Sequence, residues 1–348
     1  MRSVLVPEFA PQSGVALTWP HGHSDWRTAL NDIIPVYVEI ARAVLAHERL
    51  LIICYDATHR DTIHDTLEQA GLPGSDIAYA CAASNDTWIR DYGPLVTLQH
   101  EALELHNFTF DGWDGKYPAA LDDGMTRTLH ADGHFGVLPL ARHSLVLEGG
   151  SIDTDGCGTL LTTARCLLGT GRNPGTGRAD MESALQATLG ARRVLWLDHG
   201  EIIGDDTDGH VDMLARFCSA DTIAHASCDR RSDPHYRPLK AMAAQLQGFT
   251  TGSGRDYRLV PLPLPAPCFD EDNRRLPASY ANFLIINDAV LMPAYNDPAD
   301  HVAAQALQDC FPSRTITPID CLPLIRQAGS LHCATLQLPA GVLNVSDG

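Results

Sequence analysis

The stretch Gly204-Asp-Asp-Thr-Asp-Gly-His-Val-Asp212 joins a crowded acidic loop to the apolar run Met213-Leu-Ala-Arg-Phe217. Such a run is typical of a buried strand. Because residues two apart in a strand face the same side, a strand that begins at His210 would project His210 and Asp212 into one space. An imidazole beside a carboxylate suits acid–base chemistry or cation binding, and it is equally typical of a hydrogen-bonded pair at a strand end.

Stretches of similar polar character recur at the ends of other predicted strands, at residues 14–20, 85–94, 148–153, 279–283 and 329–335. The intervals are roughly 50 to 70 residues long, and each holds strands and a helix. This recurrence predicts an α/β fold of repeated β/α units whose loops converge on one centre, within a single catalytic domain over residues 1–348.

Composition restricts the class of partner. The formal net charge is −18, which disfavours nucleic acid and anionic membrane surfaces and favours cationic ligands, although surface acidity also aids solubility. The chain has neither a signal peptide nor an apolar run of the roughly 18 residues that a membrane span needs, so we expect a cytoplasmic protein. The ten cysteines include no CxxC motif, and we expect free thiols.

The predicted centre collects one thiol, one imidazole and three carboxylates: Cys333, His210, Asp91, Glu148 and Asp212. Cys333 follows Gly329-Ser330 in a polar setting, whereas several other cysteines lie on apolar strands. Nearby carboxylates disfavour a thiolate. A guanidinium substrate would remove this conflict, because its planar N–H donors match paired carboxylates and its charge favours the thiolate. The residues therefore favour guanidine hydrolysis.

Six pieces of the chain closely resemble the agmatine deiminase family, in the guanidino-group-modifying superfamily that includes peptidylarginine and arginine deiminases. They are Pro11-Gln-Ser-Gly-Val-Ala-Leu-Thr-Trp-Pro20, Trp88-Ile-Arg-Asp-Tyr-Gly-Pro94, Glu148-Gly-Gly150, Asp205-Asp-Thr-Asp-Gly-His-Val-Asp212, Ser279-Tyr-Ala-Asn282 and His332-Cys333. The resemblance implies a five-bladed, pseudo-symmetric β/α propeller, the pentein fold, that works without a cofactor or metal.

The resemblance also implies roles for single residues. Cys333 matches the nucleophile, His210 the general acid/base, and Asp91 and Asp212 the pair that clasps the guanidinium, while Glu148 matches a carboxylate that orients His210. The implied reaction converts agmatine to N-carbamoylputrescine and ammonia through an amidino-cysteine intermediate. The sequence departs from the family pattern at the shorter nucleophile loop, Gly329-Ser-Leu-His-Cys333, and at Tyr92, where many members have Thr.

The distal amine of agmatine requires a second acidic group, for which Asp205, Asp206 and Asp208 are candidates. Each of them could instead cap a turn. Trp88 and Trp113 could line the alkyl chain or simply belong to the core. The glycine-rich stretch Gly169-Thr-Gly-Arg-Asn-Pro-Gly175 is interrupted by Pro174, and we interpret it as a loop without a phosphate site.

Three other functions stay open at this point. The first is a metal-dependent hydrolase that uses His210, Asp212 and the neighbouring aspartates. The second is a deiminase of peptidyl-arginine or of another guanidine. The third is a non-catalytic protein that binds cations. In each case the expected partner is a small cationic guanidine or cation, and the chain could form a homo-oligomer.

Overall fold

Five mixed sheets make up the β structure of this computed structural model, which describes residues 3–72 and 74–343. Residues 1–2, 73 and 344–348 of the predicted 1–348 domain lie outside the described residues. The strands are β1 (Val4–Leu5), β2 (Gln12–Thr18), β3 (Arg49–Cys54), β4 (Ile77–Cys81), β5 (Leu95–Gln99), β6 (Ala102–Thr109), β7 (Leu140–Val146), β8 (Ile152–Thr154), β9 (Thr159–Thr163), β10 (Arg193–Leu197), β11 (Ala215–Ser219), β12 (Thr222–Ala226), β13 (Arg258–Leu262), β14 (Leu284–Ile285), β15 (Ala289–Ala294), β16 (Thr315–Asp320) and β17 (Thr335–Pro339).

Longer helices connect strands within the sheets, and short helical turns lie near the strand ends. The helices are α1 (Leu30–Leu45), α2 (Ala57–Gln69), α3 (Ile89–Tyr92), α4 (Gly112–Gly115), α5 (Ala120–Ala131), α6 (Ala164–Leu167), α7 (Arg178–Leu189), α8 (Tyr236–Gln247) and α9 (Ala299–Cys310). Short 3-10 turns cover Asp25–Thr28, Gly74–Asp76, Gly149–Ser151, Val211–Met213 and Leu324–Gln327. No helix among the described residues is both long and apolar enough to cross a membrane.

Each sheet repeats one strand order. A first strand pairs antiparallel with a second, and the second pairs in parallel with a third, as in the set β11, β12 and β13. Parallel neighbours require a crossover connection, and in every sheet a helix lies between the second strand and the third. The five sheets of this repeated unit confirm the predicted five-bladed β/α architecture.

The last strand lies in the same sheet as strands from the first part of the chain. Strand β17 pairs antiparallel with β2, with Thr335 opposite Leu17, and β2 continues in parallel to β3. The last strand therefore completes the sheet of β2, β3 and β4, whereas β1 pairs with β5 in the next sheet, and the pairing of β17 with β2 closes the ring of blades.

The apolar run Leu50-Leu-Ile-Ile-Cys54 is typical of a strand covered on both faces, and it forms β3. The proline-rich stretch 259–267 favours a sheet edge, because proline cannot donate to a strand ladder, and its first part lies in β13, the edge strand of its sheet. The predicted strand start at His210 is wrong. Val211–Met213 form a 3-10 turn, and β11 begins only at Ala215, because His210 and Asp212 are held by contacts to the loops before and after them.

Most of the polar stretches occupy equivalent places in the repeats. The stretches 85–94, 148–153, 204–213, 279–283 and 329–335 contain or lead into the start of β5, β8, β11, β14 and β17, the first strand of each blade. The stretch 14–20 instead ends β2. Because the first strands are equivalent in the five blades, the side chains that precede them are brought towards a common centre.

Candidate active site

Asp91, His210 and Asp212 converge around the backbone of Gly150. His210 Nδ1 lies 3.5 Å from Asp91 Oδ1. A methyl group on Gly150 would place its carbon 2.7 Å from Asp91 Oδ1, 2.7 Å from His210 Nδ1 and 3.0 Å from Asp212 Oδ2. Only a residue without a side chain leaves room for these three groups to meet.

Cys333 lies beside this group, in the turn before β17. Its Sγ is 3.7 Å from Asp212 Oδ2 and 3.3 Å from Asn282 Nδ2. The thiol is 5% exposed and lines a cavity. Burial raises the pKa of Cys333 well above its ordinary value, and the charges of Asp212 and Asp91 raise it further. The thiol is therefore protonated at neutral pH when no cation is bound.

The two aspartates have opposite electrostatic settings. Asp91, on α3, accepts hydrogen bonds from the Gly150 backbone N–H (2.8 Å) and from Trp113 Nε1 (2.9 Å). Burial raises the pKa of Asp91 well above its ordinary value, and the negative charge of Asp212 adds to the shift. Burial would also raise the pKa of Asp212, but the hydrogen bond and charge of His332 lower it below the ordinary value. Asp212 is thus the ionised partner.

Four buried polar atoms of the site have no hydrogen-bond partner among the described residues: Glu148 Oε2, His210 Nδ1, His210 Nε2 and Asp212 Oδ1. Glu148 uses its other oxygen, Oε1, to accept a 2.6 Å hydrogen bond from Arg172 Nε, and it makes no hydrogen bond to His210. Burial lowers the pKa of His210 to about 3, so the imidazole is neutral. Buried polar atoms without partners are rare, and here they form a set that a ligand can complete.

A cavity of about 380 Å³ leads from Cys333 and Asp91 to the surface. Its volume falls in the usual range for small-molecule sites, ~300–1,000 Å³. Trp88 and Trp113 both line it. The six-membered ring of Trp88 packs so closely on Gly329 that a methyl group there would lie 2.3 Å from the ring. The wall is thus aromatic near Cys333.

The distal part of the cavity differs from the sequence expectation. Asp206 lines the cavity and accepts a 2.7 Å hydrogen bond from the Tyr117 hydroxyl. Asp205 instead caps its own loop through the backbone N–H of Thr207 and of Gly209. Asp208 does not line the cavity, because its Oδ2 is held by Lys116 and Arg172, at 2.8 Å each.

Three acidic residues that sequence reasoning did not single out also line the cavity, Asp25, Asp86 and Asp270. Burial raises the pKa of Asp86 to about 7. Tyr92, the residue that departs from the family pattern, donates a hydrogen bond to the Asp86 carbonyl (2.9 Å), and its hydroxyl oxygen lies 2.8 Å from Thr18 Oγ1, whose hydroxyl can donate to it. Tyr92 thus supports the backbone that carries Asp86 without lining the cavity itself.

A buried charge network supports Asp212 from behind. His332 lies between Asp212 Oδ2 (2.9 Å from Nδ1) and Glu8 Oε2 (2.8 Å from Nε2). Glu8 also accepts a 2.8 Å hydrogen bond from Arg216. Burial alone would raise the pKa of Glu8, but Arg216 and His332 hold it well below its ordinary value. Neither Glu8 nor Arg216 was predicted, because their sequence contexts carry no motif.

The residues proposed for a metal site are largely engaged elsewhere, since Asp205 and Asp208 hold backbone and cationic groups. The buried atoms whose spacing would suit an ion belong to Glu148, Cys166 and His210, within 4.8 Å of one another. The Arg172 guanidinium already neutralises Glu148, so a second cation there would meet electrostatic repulsion.

Known proteins of the same architecture are similar over nearly the whole chain. Residues 4–339 match the family described as Porphyromonas-type peptidyl-arginine deiminase. The agmatine deiminase of Pseudomonas fluorescens is 30% identical, over 96% of this chain and 94% of its own. The structure of C. jejuni agmatine deiminase with substrate bound superposes with a TM-score of 0.90 at 33% identity, and covers 98% of this chain and 97% of that one.

A Porphyromonas gingivalis structure, provisionally named an arginine deiminase, is 43% identical with a TM-score of 0.92, and covers 99% of this chain and 100% of that one. The similarity extends across all five sheets and includes every stretch that contributes to the cavity. The chain therefore belongs to the family that comprises agmatine deiminases and Porphyromonas-type peptidyl-arginine deiminases, and it has the pentein fold.

Proposed function

We propose that the protein hydrolyses agmatine to N-carbamoylputrescine and ammonia, with Cys333 as the nucleophile. The observation that carries this proposal is the Asp212 carboxylate, whose Oδ2 lies 3.7 Å from the Cys333 thiol while its buried Oδ1 has no hydrogen-bond partner among the described residues. A guanidinium is planar and presents several N–H donors in fixed directions, so it can satisfy several acceptors at once. No neutral amide or ester supplies both the donors and the positive charge.

The proposed reaction begins when the guanidinium binds between Asp91 and Asp212. Its charge lowers the pKa of Cys333, and the thiol proton passes to the neutral imidazole of His210. The thiolate attacks the central guanidinium carbon and forms a tetrahedral adduct. His210 returns the proton to the departing nitrogen, the C–N bond breaks, and ammonia leaves an amidino-thioether on Cys333.

The second half of the proposed reaction uses water. His210 removes a proton from the water, and the oxygen attacks the amidino carbon. The C–S bond then breaks, and the sulfur leaves as a thiolate while the ureido product forms. Atoms and charge balance without an external oxidant or reductant. Glu148, held by Arg172, stays near His210 through both halves.

The charges at the cavity mouth support agmatine over free arginine. Asp86 and Asp25 face the cavity and can receive a distal amine, which free arginine also carries together with a carboxylate. The arginines of the mouth are already paired, since Arg274 contacts Asp270 and Arg275 contacts Asp233. The remaining one, Arg326, contacts Asp32. A substrate carboxylate would therefore meet acidic groups and no unpaired cation among the residues that line the cavity.

Deimination of peptidyl-arginine is the second candidate, favoured by the family to which residues 4–339 match. A ureido colour assay on agmatine, free arginine and an Nα-acylated arginine amide separates the two. We expect the highest kcat/KM with agmatine. A preference for the acylated arginine would replace agmatine with a peptide substrate and leave the proposed chemistry in place.

Two variants connect the assay to the site. Cys333→Ala should abolish turnover of every guanidine and retain binding, whereas Cys157→Ala, at an exposed cysteine, should leave the rate unchanged. Asp86→Asn should raise KM for agmatine about tenfold or more, since a desolvated charge pair contributes more than ~1.4 kcal/mol. Asp65→Asn, on the exposed face of α2, is the matched control. A Cys333→Ala enzyme with near-normal turnover would end the proposal.

The metal-dependent alternative is tested in the same assay. We expect a chelator to leave the rate unchanged and a thiol alkylator to abolish it. The opposite pair of results would favour a metal-dependent hydrolase over the cysteine mechanism.

A further inference from the structure

The 169–175 loop, which the sequence marks only as glycine-rich, packs against three parts of the site. The Asn173 side chain binds both backbone groups of Val146, at 3.1 Å to its N–H and 2.8 Å to its carbonyl, two residues before Glu148. On its other side, Gly171 lies so close to Asp114 that a methyl group would stand 1.5 Å from the carboxylate. The loop is therefore fixed between the end of β7 and the 111–117 loop.

Arg172 projects from this loop into the site. Its side chain is 1% exposed. Its Nε donates to Glu148 Oε1 at 2.6 Å, its Nη1 to Asp208 Oδ2 at 2.8 Å, and its Nη2 to the Thr207 carbonyl at 2.9 Å. Burying a guanidinium is costly unless it is fully paired, and here the pairing joins the stretch that carries Glu148 to the stretch that leads into His210.

The 111–117 loop also contacts the Asp208 carboxylate. Lys116 Nζ donates to Asp208 Oδ2 at 2.8 Å, so Lys116 and Arg172 share one oxygen. The same loop holds Trp113 against Asp91, and its backbone adopts left-handed φ angles at Trp113 (58°) and Asp114 (70°). Residues other than glycine rarely adopt these backbone angles, so contacts at both ends of the loop must keep it in place.

We propose that Arg172 is a positioning residue that holds Glu148 and the His210 loop in their working geometry, and that Lys116 couples the 111–117 wall of the cavity to it through Asp208. The inference rests on the proposed function of the site. Arg172 occupies one oxygen of Glu148 and leaves the other without a hydrogen-bond partner, and the carboxylate lies within 4.8 Å of a His210 ring nitrogen. Without Arg172, the carboxylate can rotate away, and its negative charge loses its only close cation among the described residues.

The first test compares kcat with KM in Arg172→Met, with Arg172→Lys as the conservative variant. Because Arg172 does not line the cavity, we expect Arg172→Met to lower kcat by about 10- to 100-fold, as for other residues that orient a reacting group, and to change KM by less than about threefold. Arg172→Lys should recover part of the loss, and Arg178→Met, at an exposed arginine of α7, should behave as wild type.

The second readout is the pH profile of kcat, which would not shift if Arg172 had only a structural role. Burial raises the pKa of Glu148 and the Arg172 guanidinium opposes that rise, so removal of Arg172 should move the acid limb of kcat to higher pH in Arg172→Met, and less in Arg172→Lys. An unshifted limb, or a rise in KM at unchanged kcat, would overturn the inference.

The third readout tests the coupling through Asp208. Lys116→Met alone should lower kcat by less than Arg172→Met does, and should have no further effect in the Arg172→Met background. Purely multiplicative effects would overturn the coupling. If Arg172→Met fails to fold, the same comparison is made between Lys116→Met, at a partly exposed residue, and the Arg172→Lys background. A wild-type protein without guanidine turnover would refute the proposed function, whereas an active wild type with an unaffected Arg172→Met would refute only this inference.

Discussion

Gly150→Ala is the substitution for which the geometry gives the sharpest expectation. The added methyl carbon would lie 2.7 Å from both Asp91 Oδ1 and His210 Nδ1, and 3.0 Å from Asp212 Oδ2. Favourable contacts of carbon begin near ~3.5 Å, so at least two of these groups must retreat by roughly 0.8 Å. The Gly150 backbone is outside the left-handed region, so alanine adds no backbone strain.

A displacement of this size acts on catalysis more than on folding. Misplacing reacting groups by ~1 Å can cost about 100-fold in rate, whereas overpacking a core costs about 1–3 kcal/mol of stability. We therefore expect Gly150→Ala to lower kcat/KM for agmatine by about 100-fold or more while the protein stays folded. The assay is ureido product formation, with thermal unfolding measured on the same preparation.

Gly252→Ala is the control, because a methyl group at Gly252 meets nothing within 4 Å. It should leave both rate and melting temperature unchanged. A Gly150→Ala enzyme that retains kcat/KM within about threefold of wild type would show that these three side chains do not form the reacting centre, since the steric conflict must displace at least one of them.

Two further predictions concern charge and shape. Because burial raises the pKa of Asp91 in the free protein and a bound cation would lower it again, agmatine binding to Cys333→Ala should release protons and tighten as pH rises. Calorimetry in two buffers of different ionisation enthalpy measures the number of protons released. Binding without any proton exchange would contradict the raised pKa of Asp91 in the free protein. Gly329→Ala would place a methyl group 2.3 Å from the Trp88 ring, so it should displace this wall of the cavity and raise KM for agmatine, measured by the ureido assay. An unchanged KM would mean that Trp88 does not contact the substrate.

The repeated architecture could be predicted because its signals are local. Apolar runs such as Leu50–Cys54 mark buried strands, and the recurrence of polar stretches indicates equivalent loops. The ring closure by β17 and β2 could not be derived from such patterns, because it pairs residues more than 300 positions apart. The strand start at His210 was predicted wrongly for a related reason. The turn at Val211–Met213 depends on contacts from Thr207 and His332, which belong to other segments.

The same difference between local sequence patterns and contacts from distant segments applies to the site. Residues within recurring polar stretches, such as Asp91 and Asp212, could be selected because polar groups placed before a strand need partners. Arg172 and Glu8 could not, since each acts through a partner that only the folded chain brings near. Of the aspartates between 205 and 208, sequence alone could not show which one faces the cavity, because adjacent residues in a turn point in different directions.

The central claim is that the thiolate of Cys333 depends on the positive charge of its ligand. Chloroacetamidine and chloroacetamide have nearly the same shape, and both alkylate a thiolate with loss of chloride, but only the first is a planar cation. Their rates at Cys333, each divided by the rate at the exposed Cys157 of the same protein, measure the effect directly by mass spectrometry.

Each unit by which the bound cation lowers the pKa of Cys333 multiplies the thiolate fraction about tenfold at neutral pH. We predict that Cys333 reacts faster with the cation by at least this factor, and that Asp91→Asn and Asp212→Asn remove the preference. Equal normalised rates for the two reagents in the wild-type protein would contradict the account.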